Sequence, residues 1–528
     1  MIIFPNLVHE YLKLSAARFP DKTALIVGEE RLSYRELDDR SDSLAGLLAN
    51  YGIGRHDRVI VFLDNSLESV ISLYGILKAG GIFVILNGTI KSKKLAYILK
   101  DSAASAIITH TIKGEVIREA IGYSGVKPLI IWVGNPISIP PNLPSRSLPW
   151  NVVLESRQGA SLNDSRGNGS IDQDLAALIY TSGSTGESKG VMCSHHNILA
   201  AARSIISYIE NRDDDIIVDV LPLSFDYGLY QVIMSVMFGG TVLFESFLFP
   251  VKVLQSIERE KVTGFPLVPT MAAFLLKIQN LEKYNITSLR YMTNTGAALP
   301  VDHIRRLRIL FPKVKIFSMF GLTECKRVSY LPPEELDRRP ASVGKAIPNC
   351  EVFLIDEQGR EVAPSEVGEL VIRGSNVMRG YWNAPELTSR TFRQGQFPGE
   401  RLLYSGDYFR KDEDGFLYFL GRKDDMIKTK GERVSPKEVE NTLSEMKGVI
   451  EVAVIGVPDD ILGQAIKVFL ACCPDAGVTV RNVMKFSADR MESFMIPKYV
   501  EFLDELPKTS NGKVDKSALK NRDPIKHI

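Results

Sequence analysis

A loop rich in glycine and hydroxyl residues, YTSGSTGESKG at residues 180–190, is the stretch of this chain best suited to chemistry. Glycines let the backbone approach a ligand closely, hydroxyl and N–H groups donate hydrogen bonds, and the lysine adds positive charge. This composition suits a loop that holds polyanionic oxygens, although Gly/Ser-rich segments are also common as linkers. The strand-like run LAALIY directly before the loop favours ligand binding, because a linker has no reason to be held at the end of a buried strand.

The position of Lys189 excludes one kind of phosphate loop. A Walker A loop needs glycine immediately before the lysine and a hydroxyl residue after it. Here Lys189 follows Ser188 and precedes Gly190. The sequence therefore predicts a phosphate-binding loop of another kind.

The elements that must position this loop alternate between strand and helix. DRVIVFLD is followed by the helical pattern SLESVISLYGILKAG and then by the strand-like GIFVIL, which predicts a largely parallel sheet covered by helices. Residues 135–174 are rich in proline and polar residues and are predicted to be a mobile connection. Near residue 350 the pattern changes to turn-linked strands such as CEVFLIDEQGREV and GELVIRG, which predict an antiparallel sheet.

Length and composition limit the class of protein. A chain of 528 residues exceeds what one hydrophobic core supports. With 45% hydrophobic residues, 24% charged residues and a formal net charge of +1, it gives no electrostatic reason to bind nucleic acid or an anionic membrane. Its five cysteines lack metal-ligand spacing, and we find no signal peptide and no membrane span. These features predict a reduced, cytoplasmic protein.

Several further motifs accompany the loop. In chain order they are FGLTE (320–324), GELVIRG (368–374), YSGDYF (404–409), GRKDD (421–425), KGERVSP (430–436) and PKTSNGKVDK (507–516). Together with YTSGSTGESKG, they resemble the adenylate-forming superfamily of acyl-CoA synthetases, nonribosomal adenylation domains and beetle luciferases. The resemblance spans nearly the whole chain.

This resemblance implies a particular fold. We expect an α/β protein with a large N-terminal domain of βα subdomains plus a small β-barrel-like subdomain, and a small mobile α+β C-terminal domain. The predicted boundaries are 1–423 for the core that binds ATP and the acid, and 424–528 for the mobile lid.

The resemblance also implies which residues hold the nucleotide. The phosphates would be held by Thr181, Ser182, Gly183, Ser184, Thr185, Gly186 and Lys189. Phe320 falls where the family usually has a tyrosine against adenine, and phenylalanine can still stack. Asp407 and Arg422 would hold the ribose hydroxyls. Glu324 would coordinate Mg²⁺, with Thr323 beside it on a phosphate oxygen.

Three segments of the C-terminal region have expected roles in two successive steps. Lys513 falls where the family keeps the lysine that bridges the acid and the α-phosphate, and we predict it to be the main catalytic residue of adenylate formation. Asp424 matches the hinge about which the C-terminal domain rotates. Lys430 and Gly431 lie in the segment that would then face the site, with Gly431 allowing a pantetheine arm to pass.

The acid pocket is predicted from the segment LPLSFDYGLYQ and from residues that map near it. Its expected lining comprises Phe225, Asp226, Tyr227, Tyr230, Pro266, Thr293, Thr295, Met319 and Arg327. Asp226 falls where amino-acid-activating members place a carboxylate for the substrate ammonium, yet Arg327 maps close enough to pair with it instead. Both interpretations remain open at the level of sequence.

The activity implied is that of an ATP-dependent carboxylic acid ligase. An acid and MgATP would give an acyl-AMP and pyrophosphate, and a thiol would then form a thioester and release AMP. The expected thiol is that of CoA. The alternative is an adenylation enzyme that loads the phosphopantetheine of a discrete carrier protein acting in trans. A luciferase-like oxygenase remains a further alternative, whereas a non-catalytic nucleotide binder is disfavoured because Lys513, Glu324 and Asp407 are all present.

Overall fold

The computed structural model of the protein describes residues 5–138, 145–155, 169–182, 188–247, 249–297, 299–423, 425–429, 432–459, 461–473, 476–509 and 513–522. All statements about the structure refer to these residues.

The strands alternate with helices in the first two-thirds of the chain and follow one another more closely after residue 345. In chain order the strands are β1 (Thr23–Val27), β2 (Glu30–Ser33), β3 (Arg58–Phe62), β4 (Ile82–Ile85), β5 (Ala106–His110), β6 (Leu129–Val133), β7 (Ser147–Pro149), β8 (Leu175–Ser182), β9 (Ser188–Ser194), β10 (Ile216–Asp219), β11 (Thr241–Phe244), β12 (Gly264–Leu267), β13 (Tyr291–Asn294), β14 (Lys315–Phe320), β15 (Ser329–Leu331), β16 (Lys345–Ala346), β17 (Cys350–Ile355), β18 (Val367–Gly374), β19 (Phe392–Gln394), β20 (Arg401–Lys411), β21 (Leu417–Arg422), β22 (Ile427–Thr429), β23 (Glu432–Val434), β24 (Val449–Asp459), β25 (Gly463–Cys472) and β26 (Tyr499–Phe502).

The helices cover the faces of these strands. They are α1 (Val8–Arg18), α2 (Tyr34–Asn50), α3 (Leu67–Lys78), α4 (Ser92–Ser102), α5 (Gly114–Ser124), α6 (Asn151–Glu155), α7 (His195–Ile209), α8 (Asp226–Phe238), α9 (Pro250–Glu260), α10 (Pro269–Leu275), α11 (Val301–Leu310), α12 (Pro385–Thr391), α13 (Pro436–Ser444), α14 (Val480–Ala488) and α15 (Lys516–Lys520).

Two of the sheets are mainly parallel, as the βα alternation predicts. One has the order β7-β6-β5-β3-β4-β8-β9, and the other has the order β16-β15-β14-β13-β12-β10-β11-β1-β2. Antiparallel pairing is confined to their edges, at β8–β9 in the first and at β1–β2, β14–β15 and β15–β16 in the second. Since parallel strands present their carboxyl ends at one edge, loops from β10, β12 and β13 converge there.

The remaining strands form two smaller sheets. β17-β18-β20-β19, with β21 on β20, is antiparallel throughout, which confirms the prediction for the region after residue 350. The last sheet has the order β23-β22-β25-β24 with β26 on β25, and its buried apolar residues form clusters separate from the main core. The expected fold class is confirmed. The boundary at residue 423 stays a prediction, and it falls between β21 and β22.

The prediction of a mobile connection over residues 135–174 is wrong for part of that stretch. β7 pairs in parallel with β6, and α6 follows it at once. Trp150 and Val153 are buried in the core. Their burial fixes the backbone here despite the local proline content.

In the described part of the chain, the helices are all too short or too polar to cross a bilayer.

A buried histidine pair joins the N-terminus to α7. The rings of His9 and His195 lie edge to face with centroids 5.8 Å apart, and His195 Nδ1 accepts a hydrogen bond of 3.1 Å from the Val8 amide. Burial lowers the pKa of His9 to about 3 and that of His195 to about 4. Both imidazoles are therefore neutral in the folded protein at neutral pH.

This pair predicts acid sensitivity. Below the ordinary histidine pKa near 6.5 the unfolded chain binds protons that the folded chain does not, so stability falls as the pH falls from there towards about 4. His195→Gln keeps a hydrogen-bond acceptor for the Val8 amide. At about pH 5 this variant should recover about 2 kcal/mol of the free energy of unfolding that the wild type loses. Urea unfolding at neutral pH and at about pH 5 measures this change in stability. His56→Asn, at an exposed histidine, is the control. Equal pH dependence in wild type and His195→Gln would contradict the assignment.

Candidate active site

The predicted phosphate loop joins two antiparallel strands. Ser182 on β8 pairs with Ser188 on β9, and Thr181 lies opposite Lys189. Gly183, Ser184, Thr185 and Gly186 lie outside the described residues, so their predicted role stays a prediction. Lys189 Nζ lies 5.7 Å from the centroid of the Tyr381 ring, which places the loop lysine beside the next element of the site.

The base of this loop is attached to the end of α4. Tyr180 donates a hydrogen bond of 2.5 Å to Asp101 Oδ2, and the indole of Trp382 donates one of 2.9 Å to the Asp101 carbonyl. Asn383 donates to the same carbonyl at 2.9 Å. Asp101 therefore ties the strand that carries the loop to the segment that carries Tyr381.

Glu324 is held by that segment. The Tyr381 hydroxyl donates to Glu324 Oε1 at 2.7 Å, and the Met378 amide donates to the Glu324 carbonyl at 2.9 Å. Tyr381 was not predicted from the sequence, because a tyrosine in GYW gives no local sign of a partner far away in the chain. Thr323 lies beside Glu324 in the chain and is half-buried.

Phe320 belongs to an aromatic cluster at the end of β14. Its ring stacks on Phe419 at 5.7 Å and meets Phe409 edge to face at 4.9 Å. The half-buried ring is thus fixed in orientation by neighbours from β20 and β21. This arrangement is compatible with the predicted contact to an adenine ring.

Asp407 and Arg422 are brought together by strand pairing. They lie opposite each other on β20 and β21, and Arg422 Nε is 3.3 Å from Asp407 Oδ1. Asp407 is 2% exposed, whereas the arginine side chain is 58% exposed. Burial raises the pKa of Asp407 to about 7, although Arg422 and Lys513 oppose the shift. The carboxyl group is therefore poised to gain or lose its proton near neutral pH.

Lys513 enters the same site from the C-terminal region. Its Nζ lies 5.8 Å from the Phe225 ring centroid, and its Cε comes so close to Gly296 that a Cβ there would meet it at 3.4 Å. By surface area Lys513 is exposed, yet enough protein surrounds the ammonium that desolvation lowers its pKa. The carboxylates of Asp226, Asp407 and Glu324 oppose this lowering of the pKa.

Gly296 was not predicted as part of the site. Its φ of +87° lies in the left-handed region, and a side chain would press on both Phe225 and Lys513. The glycine in NTGAALP thus leaves the space in which Lys513 lies.

The acid pocket lies between α8 and the carboxyl ends of β12, β13 and β14. Pro266 pairs with Thr293 across β12 and β13, and Tyr227 at the start of α8 makes hydroxyl contacts with Thr293 Oγ1 at 2.6 Å and its carbonyl at 2.8 Å. The ring of Phe225 lies edge to face with that of Tyr227. Tyr230, Thr295 and Met319 are each at most 4% exposed. These contacts bring Phe225, Tyr227 and Thr293 together, and the role of the set as an acid pocket stays a prediction.

The cation beside Asp226 is Lys326, so the pairing suggested for Arg327 is wrong. Lys326 Nζ lies 3.7 Å from Asp226 Oδ2 and donates to the Asp226 carbonyl at 2.7 Å. Burial lowers the pKa of Lys326 to about 7, and Asp226 opposes that shift. Arg327 instead places its guanidinium 5.4 Å from the Tyr227 ring centroid.

Both adjacent cations face α8. Lys326 adopts φ +63°, a left-handed conformation that is uncommon outside glycine. Lys326 Nζ lies 4.4 Å from the ring centroid of Tyr230, and the Arg327 guanidinium lies near Tyr227 of the same helix. The sequence does not show which of the two neighbours reaches Asp226.

The residues expected to act in the second step fall outside the described ranges. These are the hinge Asp424, and Lys430 with Gly431, which lie between β22 and β23. Their roles stay predictions.

The comparisons with known proteins agree with this geometry. The sequence profile of the AMP-binding enzyme family matches residues 12–382, and that of the AMP-binding enzyme C-terminal domain matches residues 438–513. The chain is 32% identical to a long-chain-fatty-acid–CoA ligase of Bacillus subtilis (strain 168), with 97% of this chain and 94% of the relative covered. It is 28% identical to tyrocidine synthase 1 of Brevibacillus parabrevis over 98% of this chain and 45% of the relative.

Solved structures give the same assignment. The anthranilate CoA ligase AuaEII in complex with anthranoyl-AMP superposes with a TM-score of 0.88 at 27% identity, covering 98% of this chain and 97% of that one. ATP-bound MatB from Rhodopseudomonas palustris superposes with a TM-score of 0.85 at 27% identity, covering 98% of each chain. The chain belongs to the AMP-binding enzyme family. It is an enzyme of the AMP-forming acid–thiol ligase class.

The raised pKa of Asp407 predicts pH-dependent nucleotide binding. If the ionised carboxylate accepts the ribose hydroxyls, the dissociation constant for AMP should rise about tenfold from about pH 8 to about pH 6, because a group with a pKa near 7 loses most of its charge in that range. Calorimetry measures this, and adenosine serves as a ligand without a titrating phosphate. Asp407→Asn should bind weakly with a flat profile, and an unchanged pH dependence in that variant would contradict the role of Asp407.

Proposed function

We propose that the chain activates a carboxylic acid as its acyl-AMP at the expense of ATP and then transfers the acyl group to the thiol of CoA. The observation that carries this proposal is the position of Lys513, whose Nζ lies 5.8 Å from the Phe225 ring centroid and whose Cε lies beside Gly296. Attack of an acid carboxylate on a phosphate brings anions together, and a cation aimed at the developing charge lowers that barrier. The similarity to CoA ligases over nearly the whole chain supports CoA as the acceptor.

Lys513 would lie between the acid carboxylate and the α-phosphate. The desolvation that lowers its pKa also strengthens its attraction for anions, since charges interact more strongly away from bulk water. Lys189 would hold the terminal phosphates, and Phe320, Asp407 and Arg422 would hold the nucleoside. Lys513 thus orients both reactants while the substrate carboxylate supplies the nucleophilic oxygen.

The residues present fit Mg²⁺ as the accompanying metal. Magnesium is commonly held by one or two carboxylates together with substrate phosphates and water. Among the described residues, no three His, Cys, Asp or Glu side chains lie together as a ready-made metal site. Glu324 nevertheless supplies one carboxylate, and Tyr381 orients it. When bound, the ion would neutralise phosphate charge as pyrophosphate leaves. Thr323 would assist at a phosphate oxygen.

The second step would need the C-terminal domain to turn about Asp424 and present Lys430 and Gly431 to the site. Closure of one site in two arrangements is an established use of domain motion. In the arrangement described here, Lys513 occupies the site, which is the arrangement expected for adenylate formation.

A second candidate function is the adenylation of an amino acid for a carrier protein. The observation in its favour is that Asp226 is the carboxylate that most opposes the lowered pKa of Lys513. An acid held at Lys513 would place its α-substituent near Asp226. Against it, Asp226 already has Lys326 as a cationic partner, which favours an acid without an ammonium group.

The packing at the base of the pocket argues for a short acid. Tyr230, Met319 and Arg327, which the sequence predicts as part of the lining, are each at most 3% exposed, so a long acyl chain entering among them would have to displace packed side chains. Displacing packed side chains from such a position is costly.

The first prediction of this proposal concerns Lys513. Lys513→Ala should lower acid-dependent pyrophosphate release by about 100-fold or more, because a cation aimed at the reacting anions is lost. Thioester formation from supplied acyl-AMP and CoA should be largely retained. Lys485→Ala on the exposed side of α14 is the control and should leave both steps unchanged. Equal loss in both half-reactions would contradict the role.

The second prediction concerns the acid. Pyrophosphate release should be measured over short and long fatty acids, aryl acids and amino acids, and short acids without an amino group should give the highest kcat/KM. A requirement for an amino group would instead support the carrier-protein alternative. A preference for long chains would contradict the short pocket. No release of pyrophosphate or AMP with any acid would contradict the ligase proposal itself.

A further inference from the structure

A large open cavity adjoins the site described above and shares Met378 with it. It has a volume of about 840 Å³, and its lining includes Gln173, Asn349, Arg373, Arg379, Glu400 and Arg401. We refer to this cavity as the arginine pocket. Its volume falls in the range of pockets that bind small organic molecules.

The charges in the arginine pocket are unevenly matched. Arg373 Nε lies 2.6 Å from Glu400 Oε1, and its Nη1 lies 3.0 Å from Glu351 Oε2, so both lining carboxylates are engaged by one arginine. Arg379 donates instead to the neutral side chain of Gln173, and Arg401 donates to the backbone carbonyl of Arg379. Among the described residues, neither Arg379 nor Arg401 has a carboxylate partner.

The two arginines are also close to each other. Both side chains line the same cavity, and the Arg401 guanidinium is bonded to the backbone carbonyl of Arg379. Desolvation lowers the pKa of Arg401, and the neighbouring charge of Arg379 lowers it further. A bound anion would supply the counter-charge that the described residues do not provide for these two arginines.

The geometry points to a binding site for an organic phosphate, and we propose that the arginine pocket binds a phosphate ester through Arg379 and Arg401. Guanidinium groups present planar forks of N–H donors that match phosphate oxygens. The cavity is far larger than one phosphate group, and Gln173 and Asn349 add amides able to contact an attached organic part. Such a phosphate ester has two sources, which are the nucleotide end of CoA and a separate phosphorylated metabolite.

The arginine pocket is distinct from the predicted ATP phosphate site. The phosphate loop precedes β9 at Ser188, whereas His196 and Asn197 in the lining of the cavity follow the other end of that strand. The proposed ligand Arg379 is bonded to Met192, four residues along β9 from Ser188, so roughly 13 Å of strand separates it from the base of the loop.

The same segment nonetheless contacts both places. Arg379 donates its amide to the Met192 carbonyl on β9 at 2.9 Å, and two residues later Tyr381 holds Glu324. An anion bound to the Arg379 side chain would thus be attached to the chain segment that carries Tyr381 and orients Glu324. This contact gives the arginine pocket a short physical route to the candidate active site.

The test is a calorimetric titration of the full chain with its nucleotide site filled by AMP. Inorganic phosphate is the first probe, and the wild type should bind it saturably. The Arg379→Gln/Arg401→Gln double variant, which keeps hydrogen-bond donors, should bind it at least about tenfold more weakly, as expected for the loss of charge-assisted bonds. Arg118→Gln, at an exposed arginine of α5, is the matched control and should bind like the wild type.

CoA and dephospho-CoA, which lacks the 3′-phosphate, identify the source of the phosphate. If the double variant weakens CoA binding and leaves dephospho-CoA unaffected, the arginine pocket holds the 3′-phosphate of CoA. If phosphate binding is weakened and CoA binding is not, the pocket serves a separate phosphate ester. No phosphate binding by the wild type, or equal binding by the double variant, would overturn the proposal.

Folding and catalysis are checked separately. Acid-dependent pyrophosphate release and the thermal midpoint of the double variant show whether the fold and the ligase activity persist. If the double variant does not fold, Arg401→Lys at the exposed position keeps the charge but loses the fork, and it should still weaken phosphate binding. Unchanged binding in Arg401→Lys together with Arg401→Gln would overturn the assignment of Arg401. The inference can thus fail while the proposed ligase activity stands.

Discussion

The site depends on one electrostatic constraint, which is that a single ammonium group must lie near carboxylates supplied by separate parts of the fold. Asp226 comes from the start of α8, Glu324 from the loop after β14, and Asp407 from β20. No local segment could assemble these groups. The larger sheet and its helices supply Asp226 and Glu324, the antiparallel sheet supplies Asp407, and the C-terminal region supplies Lys513. Mutual packing of these units is therefore a condition for chemistry as well as for stability.

Much of the fold could be predicted from the sequence, because its causes are local and periodic. Buried runs such as IFVI on β4, the helix of α3 with its serine cap, and the Asp414–Gly415 turn between β20 and β21 all leave clear patterns. Proline content misled the prediction for residues 145–155, where the burial of Trp150 outweighs local preference. The pairing of Asp407 with Arg422 could be expected from the family motifs, but its cause is the register of two strands.

The parts of the site that could not be predicted involve backbone conformation or long-range contact. The pairing of Lys326 with Asp226 occurs at a left-handed residue, and the adjacent Arg327 also contacts α8, so the sequence does not show which cation reaches the carboxylate. Gly296 matters because a side chain at this position would press on Phe225 and Lys513. The sequence does not show that these two residues lie beside it. Tyr381 and Asp101 act through partners more than fifty residues away. In each case the deciding information is three-dimensional.

The position of Asp101 has a consequence for how the enzyme loses activity on heating. This residue near the C-terminal end of α4 receives Tyr180 from the phosphate-loop strand and Trp382 from the segment that orients Glu324. Local opening of a segment needs far less free energy than global unfolding. Displacement of Asp101 alone would release both attachments at once while the sheets remain intact. Warming would then abolish activity before the protein unfolds. A preparation that is compact by every physical test would have lost the alignment of its catalytic residues.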